Sequence, residues 1–318
     1  MTQNKLKKVK AFAPASVANV ACGFDVLGFA ISGPGDFVEA EFSDNPGVTI
    51  ETILNDDGRL PLDPEQNTAG KAILALLEET GEERGISIRI EKKMPLGSGL
   101  GSSASSAVAA VVAVNELIGN PYEKKDLLPF ALQGEMVASG TPHADNISAS
   151  LLGGFILVRS HNPPDVVSLP VPDKLMAVVI HPHIEINTKS TRLILRKSVP
   201  LSKAVEQWGN VGAFVAGLYS GDYGLISRSL YDDIIEPSRS ILIPGFGRMK
   251  QAAMDQGALG FSISGAGPSV FALCDSKETA KKIGESAGKI LEETELGYDI
   301  YISEINKEGS VVISKEEE

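Results

Sequence analysis

The sequence is short of the residues that build disulfide and metal frameworks. Its 318 residues include only two cysteines and four histidines. Cys22 and Cys274 lie far apart in the chain, and neither belongs to a CxxC pair. We therefore interpret both as reduced thiols in the core rather than as a disulfide or a metal site.

Long hydrophobic runs and positive charge are also scarce. No segment approaches the roughly 20 uninterrupted apolar residues that a membrane-spanning helix needs, and the N-terminal MTQNKLKKVK has no apolar signal core. The 29 basic residues face 41 acidic ones, so the formal net charge is −12. That charge disfavours nucleic acid as a partner, but a local field can still bind an anionic small ligand. The sequence predicts a cytoplasmic protein without nucleic-acid or membrane partners.

Hydrophobic patterns along the chain predict an α+β fold in two parts. In the N-terminal part, VLGFAIS and DFVEAEF read as separate strands, 67–81 as a helix that stops at Gly81, and 85–93 as a half-buried strand. Residues 104–118 are apolar nearly all round, which is typical of a buried helix. The proline-rich segment 161–174 predicts a boundary that divides residues 1–165 from residues 166–318.

The stretch PLGSGLGSSASS, residues 95–106, lies between that strand and the buried helix. Gly97, Gly99 and Gly101 allow backbone N–H groups to approach a ligand closely, and the following helix points its free N–H groups at the same place. This combination favours phosphate. No Walker A pattern is present, and the dinucleotide fingerprint fails because no second parallel strand follows the helix. A tight packing turn is the alternative that pattern alone leaves open.

The same stretch resembles the phosphate loop of the GHMP kinases, and further motifs agree in order. APASVANVACGFDVLGFAI, TPHADNISASLLGGF (141–155) and GALGFSISGAGPSVFAL (257–273) are similar to motifs of the homoserine kinase branch, as are NTKSTR (187–192) and EPSR (236–239). The chain departs from the branch at Ala21 and Cys22, where Gly-Pro is usual. The resemblance covers nearly the whole chain.

The resemblance implies the two-domain GHMP kinase fold, with an N-terminal nucleotide-binding α/β domain and a C-terminal ferredoxin-like α+β domain. It implies ATP and Mg²⁺, and phosphoryl transfer to the side-chain hydroxyl of L-homoserine. Ser103 and Glu135 are the implied magnesium ligands. The implied ATP-binding residues are Asn67, Lys92, Pro95, Leu96, Gly97, Ser98, Gly99, Leu100, Gly101, Ser102, Ser103, Ala104 and Ser105.

The acceptor end follows from the same resemblance. Two arginines can each offer a planar fork to the homoserine carboxylate. The implied substrate-binding residues are Asn19, Asp25, His143, Arg192, Arg239 and Gly265, and the implied catalytic residues are Asp145, Asn146 and Thr188. The proton acceptor stays open between Asp25, Asp145 and a phosphate oxygen, since an asparagine cannot usefully accept a proton.

Each candidate also has a structural alternative when it is taken alone. Glu135 can be a solvated helix acid, Lys92 a solvated lysine at a strand end, and Asn67 only the N-cap of its helix. His143 and Asp145 invite a transition-metal interpretation, which lacks further histidines at ligand spacing. For the whole chain, the alternatives are a mevalonate-type or other small-alcohol kinase and a non-catalytic nucleotide-binding sensor. A homodimer is expected only by analogy.

Overall fold

The computed structural model describes residues 6–140 and 143–317, without the side chains of residues 139, 188 and 189. The strands of this part are β1 (Leu6–Ala18), β2 (Leu27–Ser43), β3 (Val48–Leu54), β4 (Gly85–Glu91), β5 (Phe155–His161), β6 (Pro164–Leu169), β7 (Met176–Pro182), β8 (Gly260–Ile263), β9 (Val270–Cys274), β10 (Tyr298–Glu304) and β11 (Val311–Glu317). The α-helices are α1 (Thr68–Thr80), α2 (Ser102–Leu117), α3 (Leu128–Ser139), α4 (Ala144–Leu152), α5 (Thr188–Leu193), α6 (Leu201–Ser220), α7 (Tyr223–Ser229), α8 (Glu236–Arg239), α9 (Phe246–Asp255) and α10 (Lys277–Glu292). Short 3₁₀ helices precede α3 and follow α8. The predicted mixture of helices and strands is confirmed.

The first sheet has seven strands in the order β11-β1-β2-β4-β3, with β5 beside β2 and β6 beside β5. Its pairs are antiparallel except for the parallel pair β3 and β4. Helices α1 to α4 cover one face, and α2 contacts both β1 and β2. Because α2 lies between the sheet and the other helices, 14 of its 16 residues are buried. The prediction of a helix that is buried nearly all round is confirmed.

The second sheet has four antiparallel strands in the order β10-β7-β9-β8, with α9 and α10 packed against it. A core of aromatic side chains joins it to the first sheet. Phe29 contacts Phe155 at 5.0 Å and Phe271 at 5.7 Å between ring centroids, and Phe155 contacts Phe214 at 5.6 Å. All four rings are fully buried. The interface between the two sheets is therefore an apolar core.

The proline-rich segment 161–174 differs from the open linker that its composition predicts. Residues 164–169 form β6, which pairs with β5, and the boundary between residues 165 and 166 falls inside that strand. The chain also returns to the first sheet through β11, which pairs with β1. The first sheet thus draws on both predicted parts, and the division of the chain at this point stays a prediction.

The two strands predicted over 26–42 are one strand, β2, of 17 residues. The strand passes through Gly33, Pro34 and Gly35, where the sequence indicates a break. A Cβ at Gly35 would lie 2.3 Å from the Ala13 carbonyl oxygen. The glycine is therefore needed for close strand contact rather than for a turn. No helix in the described ranges is long and apolar enough to cross a membrane.

Candidate functional site

The predicted phosphate loop connects β4 to α2, and its glycines adopt a backbone that other residues rarely accept. Gly97, Gly99 and Gly101 have φ angles of +65°, +79° and +69°. A Cβ at Gly99 would lie 2.6 Å from the Ser264 carbonyl oxygen, and one at Gly101 would lie 2.2 Å from Ser16 Oγ. Both the left-handed conformation and the close packing therefore require glycine.

The loop carbonyls bond to the protein, which leaves the loop N–H groups for a ligand. The carbonyl oxygens of Ser98 and Leu100 accept from the backbone N–H groups of Ser269 and Ser16, at 3.1 and 3.0 Å. The Gly99 carbonyl accepts from a serine hydroxyl at 2.7 Å. Within the described ranges, no group accepts from the backbone N–H groups of residues 97–103. Free N–H groups at the start of a helix form an anion site, so a phosphate fits this loop.

The loop lines a cavity of about 480 Å³, to which segments near 185–192, 239 and 265 also contribute. The predicted residues that line it are Asn19, Asn67, Lys92, Leu96, Gly97, Ser98, Gly99, Gly101, Ser102, Ser103, Glu135, His143, Asp145, Asn146, Arg192, Arg239 and Gly265. The chain thus brings most of the predicted nucleotide and acceptor residues together around one space.

Five predicted residues do not line the cavity. Pro95 is exposed beside the loop, and Asp25 is joined to the cavity through its hydrogen bonds with Asn19 and Arg192, which both line it. The side chains of Leu100 and Ala104 are buried in the core, and the Ser105 hydroxyl donates to the Ala13 carbonyl at 2.6 Å. Packing under the loop directs these last three side chains inward, so a contact with ATP would have to come from their backbone, and their role in ATP binding stays a prediction. The side chain of Thr188 lies outside the described part.

Asn67 caps helix α1, as the structural alternative predicts. Its side chain accepts from the N–H groups of Ala69 and Gly70 and donates to the Pro61 carbonyl at 2.9 Å. It also borders the cavity. A contact between Asn67 and the nucleotide stays a prediction.

The interpretation of Lys92 as a solvated strand-end lysine is wrong. Its side chain is 2% exposed and forms an ion pair with Asp36, which is fully buried. Lys92 Nζ also donates to the Ser102 carbonyl at 2.8 Å and to Ser106 Oγ at 2.7 Å. The lysine thus ties the first turn of α2 to the sheet directly beneath the phosphate loop.

Replacing Lys92 with methionine should lower the free energy of unfolding by about 3–5 kcal/mol, because it leaves the Asp36 carboxylate buried without its counter-charge. Urea denaturation measures the change. Lys93→Met is the matched control. That lysine is 46% exposed, and its pair with Glu91 lies at the surface, where such pairs contribute about 0–1 kcal/mol. Equal losses in the two variants would contradict a structural role for the buried pair.

The acceptor end of the cavity holds two guanidinium groups. Arg192 forms two hydrogen bonds to the Asp25 carboxylate, at 2.7 and 3.0 Å. Arg239 is 2% exposed and donates to the Gly265 carbonyl at 3.1 Å. The Phe24 ring lies 5.5 Å from the Arg192 guanidinium and 5.1 Å from that of Arg239. The Nε atoms of both arginines are buried and find no hydrogen-bond partner among the described residues.

Burial dominates the electrostatics of this end. Burial and the charge of Arg192 lower the pKa of Arg239 to about 10, although Asp25, Asp232 and Asp145 oppose the shift. Arg239 therefore stays cationic at neutral pH, but it is poorly solvated. Since Asp25 already pairs with Arg192, a ligand carboxylate would supply the counter-charge and the acceptor atoms that Arg239 lacks.

Three acidic and imidazole groups lie between the two ends of the cavity. Burial raises the pKa of Asp145 to about 6. His143 Nδ1 lies 3.1 Å from Glu135 Oε1. Although burial opposes the charged form, the hydrogen bond and charge of Glu135, with Asp145, raise the pKa of His143 above its ordinary value. Glu135 is 4% exposed, so its interpretation as a solvated helix acid is wrong.

Two predicted asparagines are held by the protein itself. Asn146 Oδ1 accepts from Ser16 Oγ at 2.8 Å. Asn19 accepts from the Asp25 N–H and donates to the Gly265 carbonyl, each at 2.8 Å. Asn19 therefore positions the loop that carries Asp25, and a direct contact with the substrate ammonium stays a prediction.

The donor set of the cavity suits magnesium rather than a transition metal. Ser102 Oγ is buried and lacks a hydrogen-bond partner in the described part, and Ser102, Ser103 and Glu135 line the same cavity. Magnesium takes few protein oxygens together with water and substrate phosphates. Among the described residues, no three His, Cys, Asp or Glu side chains are grouped to hold a metal. The chemistry of Ser103 and Glu135 therefore fits a magnesium ion, and their role as its ligands stays a prediction.

Sequence reasoning missed several residues that shape the site. Asp36 shares the buried face of β2 with Val38 and Ala40, and this alternation is the sequence signal that could have found it. Phe24 lies inside a recognised motif, but its contact with both arginines has no local signal. Gln207 and Asp232 lie in helical and loop segments without any motif, and only the folded chain brings them to the site.

Comparisons with known proteins agree with this geometry. The family models described as GHMP kinases N terminal domain and GHMP kinases C terminal match residues 67–154 and 214–292. A curated homoserine kinase of Chlorobium phaeobacteroides is 49% identical over 97% of this chain and all of its own length. The crystal structure of homoserine kinase from Cytophaga hutchinsonii is 57% identical, with a TM-score of 0.96 over 98% of this chain and 99% of that one.

A more distant structure shares the fold alone. The L. major mevalonate kinase in complex with R-mevalonate is 18% identical, with a TM-score of 0.70 over 96% of this chain and 99% of that chain.

Proposed function

The chain belongs to the GHMP kinase family, and we propose on this premise that it phosphorylates the side-chain hydroxyl of L-homoserine with ATP. The product is O-phospho-L-homoserine, an intermediate of threonine biosynthesis. The substrate assignment is supported by the pair Arg192 and Arg239, which faces the same cavity as the phosphate loop. A substrate carboxylate at the arginines directs the far end of a short amino acid toward the transferred phosphoryl group.

Phosphoryl transfer depends mainly on positioning and charge neutralisation. The free N–H groups of residues 97–103 would hold the triphosphate, and Ser103 with Glu135 would hold Mg²⁺. The ion supplies neutralisation of phosphate charge when it is bound. The loop residues orient the transferred group, while the arginines orient the acceptor.

Asp145 is better placed than Asp25 to receive the proton of the acceptor hydroxyl. Both oxygens of Asp25 are held by Arg192, whereas Asp145 borders the cavity and has a pKa raised by burial to about 6. That pKa leaves it largely ionised at neutral pH and nearer to the operating pH than an ordinary aspartate. Transfer to a phosphate oxygen is the second route, because a loose transition state tolerates late proton loss.

The fixed charges predict a narrow acceptor range. ADP release with MgATP should require L-homoserine and should stay at the background rate with mevalonate, galactose, L-serine or no acceptor. A site that holds both a carboxylate and an ammonium rejects mevalonate and galactose, because they leave one or both partners unpaired. L-serine satisfies both partners, but its side chain is one methylene shorter, so its hydroxyl would stop short of the transferred phosphoryl group. Turnover with mevalonate would instead support a small-alcohol kinase, and ATP binding without turnover on any acceptor would support a sensor. The cytoplasmic location and a homodimer stay predictions.

A further inference from the structure

We propose that Gln207, on α6, is a positioning residue for the acceptor end of the site. Its side-chain amide joins the loop that carries Asp25 to the turn that leads into Arg239. The inference rests on the proposed function, because it concerns how that site is held ready for its acceptor. Gln207 itself does not line the cavity.

One nitrogen makes both contacts. Gln207 Nε2 donates to the Cys22 carbonyl oxygen at 3.0 Å and to Asp232 Oδ1 at 3.0 Å. A side-chain amide nitrogen has two protons, so both are used. The first partner belongs to the backbone, and the contact therefore does not depend on the unusual Ala21-Cys22 pair of side chains.

The first partner lies in the loop that orders both arginines. Ala21 and Asp25 have φ angles of +43° and +59°, a conformation costly for residues with a Cβ. Such a loop keeps its shape only where its surroundings hold it. Two residues after Cys22, the Phe24 ring contacts both guanidinium groups, and Asp25 then pairs with Arg192. A shift of this loop would move the whole acceptor end.

The second partner builds the turn that presents Arg239. Asp232 is 6% exposed, and its carboxylate accepts from the N–H groups of Ile234, Ile235 and Glu236 at 2.9–3.0 Å. These contacts lead directly into α8, whose last residue is Arg239. The Gln207 amide thus fixes the distance between two segments. One is the loop that carries Phe24 and Asp25, and the other is the turn that leads into Arg239.

Loss of this link should weaken acceptor binding and leave nucleotide binding unchanged. In Gln207→Met, which keeps the stem but removes the donor, we expect the acceptor KM to rise about tenfold, as for loss of a partly buried hydrogen bond to a charged group. The KM for MgATP and kcat should change less than about twofold, because the phosphate loop is held by Ser16, Ser264 and Ser269 instead. Gln207→Glu should raise the KM for the acceptor substrate further, since it places a carboxylate against the Cys22 carbonyl oxygen and the Asp232 carboxylate.

Gln251→Met is the control, because that glutamine makes a similar amide-to-aspartate contact with Asp255 on the exposed surface of α9. It should leave every constant unchanged. A parallel rise in the KM values for acceptor and ATP, or a fall in melting temperature that accounts for the loss, would overturn the positioning role.

Hydrogen–deuterium exchange separates this inference from the proposed function, since it needs no substrate. In Gln207→Met, amides in both 20–27 and 232–239 should exchange faster than in the wild type, whereas those of 97–105 should not. Unchanged exchange in the two loops would overturn the link. If homoserine proves not to be the acceptor, the proposed function fails while the exchange result still decides whether Gln207 joins the loops.

Discussion

Replacing Arg239 with leucine should raise the homoserine KM at least about 30-fold while the KM for MgATP stays near that of the wild type. Truncating one partner of a buried, hydrogen-bonded charge pair costs about 2–5 kcal/mol, and each 1.4 kcal/mol is a factor of ten. Among the described residues, Arg239 makes one hydrogen bond to the protein, to the Gly265 carbonyl. Most of its donors are therefore left for a ligand. Steady-state kinetics with each substrate varied in turn measures the split.

The fold should tolerate this change, because the Gly265 carbonyl also accepts from Asn19 Nδ2 at 2.8 Å. Leucine further removes a buried cation whose pKa burial already lowers. Arg248→Leu is the control. Arg248 lies on the surface, 58% exposed, and pairs with Glu293, so it should leave both KM values unchanged. An equal rise in both KM values for Arg239→Leu would mean that the arginine supports the fold rather than the acceptor.

The phosphate loop is the part of the site that sequence reasoning predicted best, because its requirements are local. Alternating glycines, a preceding strand and a following apolar helix are all contiguous in 85–118. Each of these glycines indicates a position with a positive φ angle, which other residues rarely adopt. The helix bounds of 68–80 followed in the same way from the N-cap Asn67 and the stop at Gly81.

What the sequence could not supply are contacts between distant segments. Lys92 reads locally as a polar strand end, but its partner Asp36 lies 56 residues away in the chain. The merging of two predicted strands into β2 depends on how closely β1 approaches Gly35. The end of the cavity proposed to bind the carboxylate likewise combines residues near 25, 192 and 239. Resemblance named those residues, but only packing of the two sheets explains why they meet.

Replacing Glu135 with alanine should lower kcat about 100-fold or more at a fixed, moderate magnesium concentration. In the proposed mechanism this buried carboxylate would bind Mg²⁺ at the phosphates. Mutation of a residue that only hydrogen-bonds to a metal ligand already lowers metal affinity or activity by about 10- to 100-fold, and loss of a ligand should cost at least as much. Raising the magnesium concentration should recover part of the activity, because the remaining oxygens still fit the ion. The apparent Mg²⁺ affinity, read from kcat across a magnesium titration, measures the effect.

The carboxylate also holds His143, so its two roles must be separated. His143→Gln removes the imidazole partner but keeps Glu135, and should therefore change kcat less than Glu135→Ala and leave the magnesium dependence in place. Glu278→Ala removes a surface carboxylate, 78% exposed, that pairs with Lys282 on α10, and should change neither quantity. Near-normal turnover of Glu135→Ala at moderate magnesium would remove this residue from the metal site. Equal losses in Glu135→Ala and His143→Gln, without magnesium dependence, would instead assign it to holding the histidine.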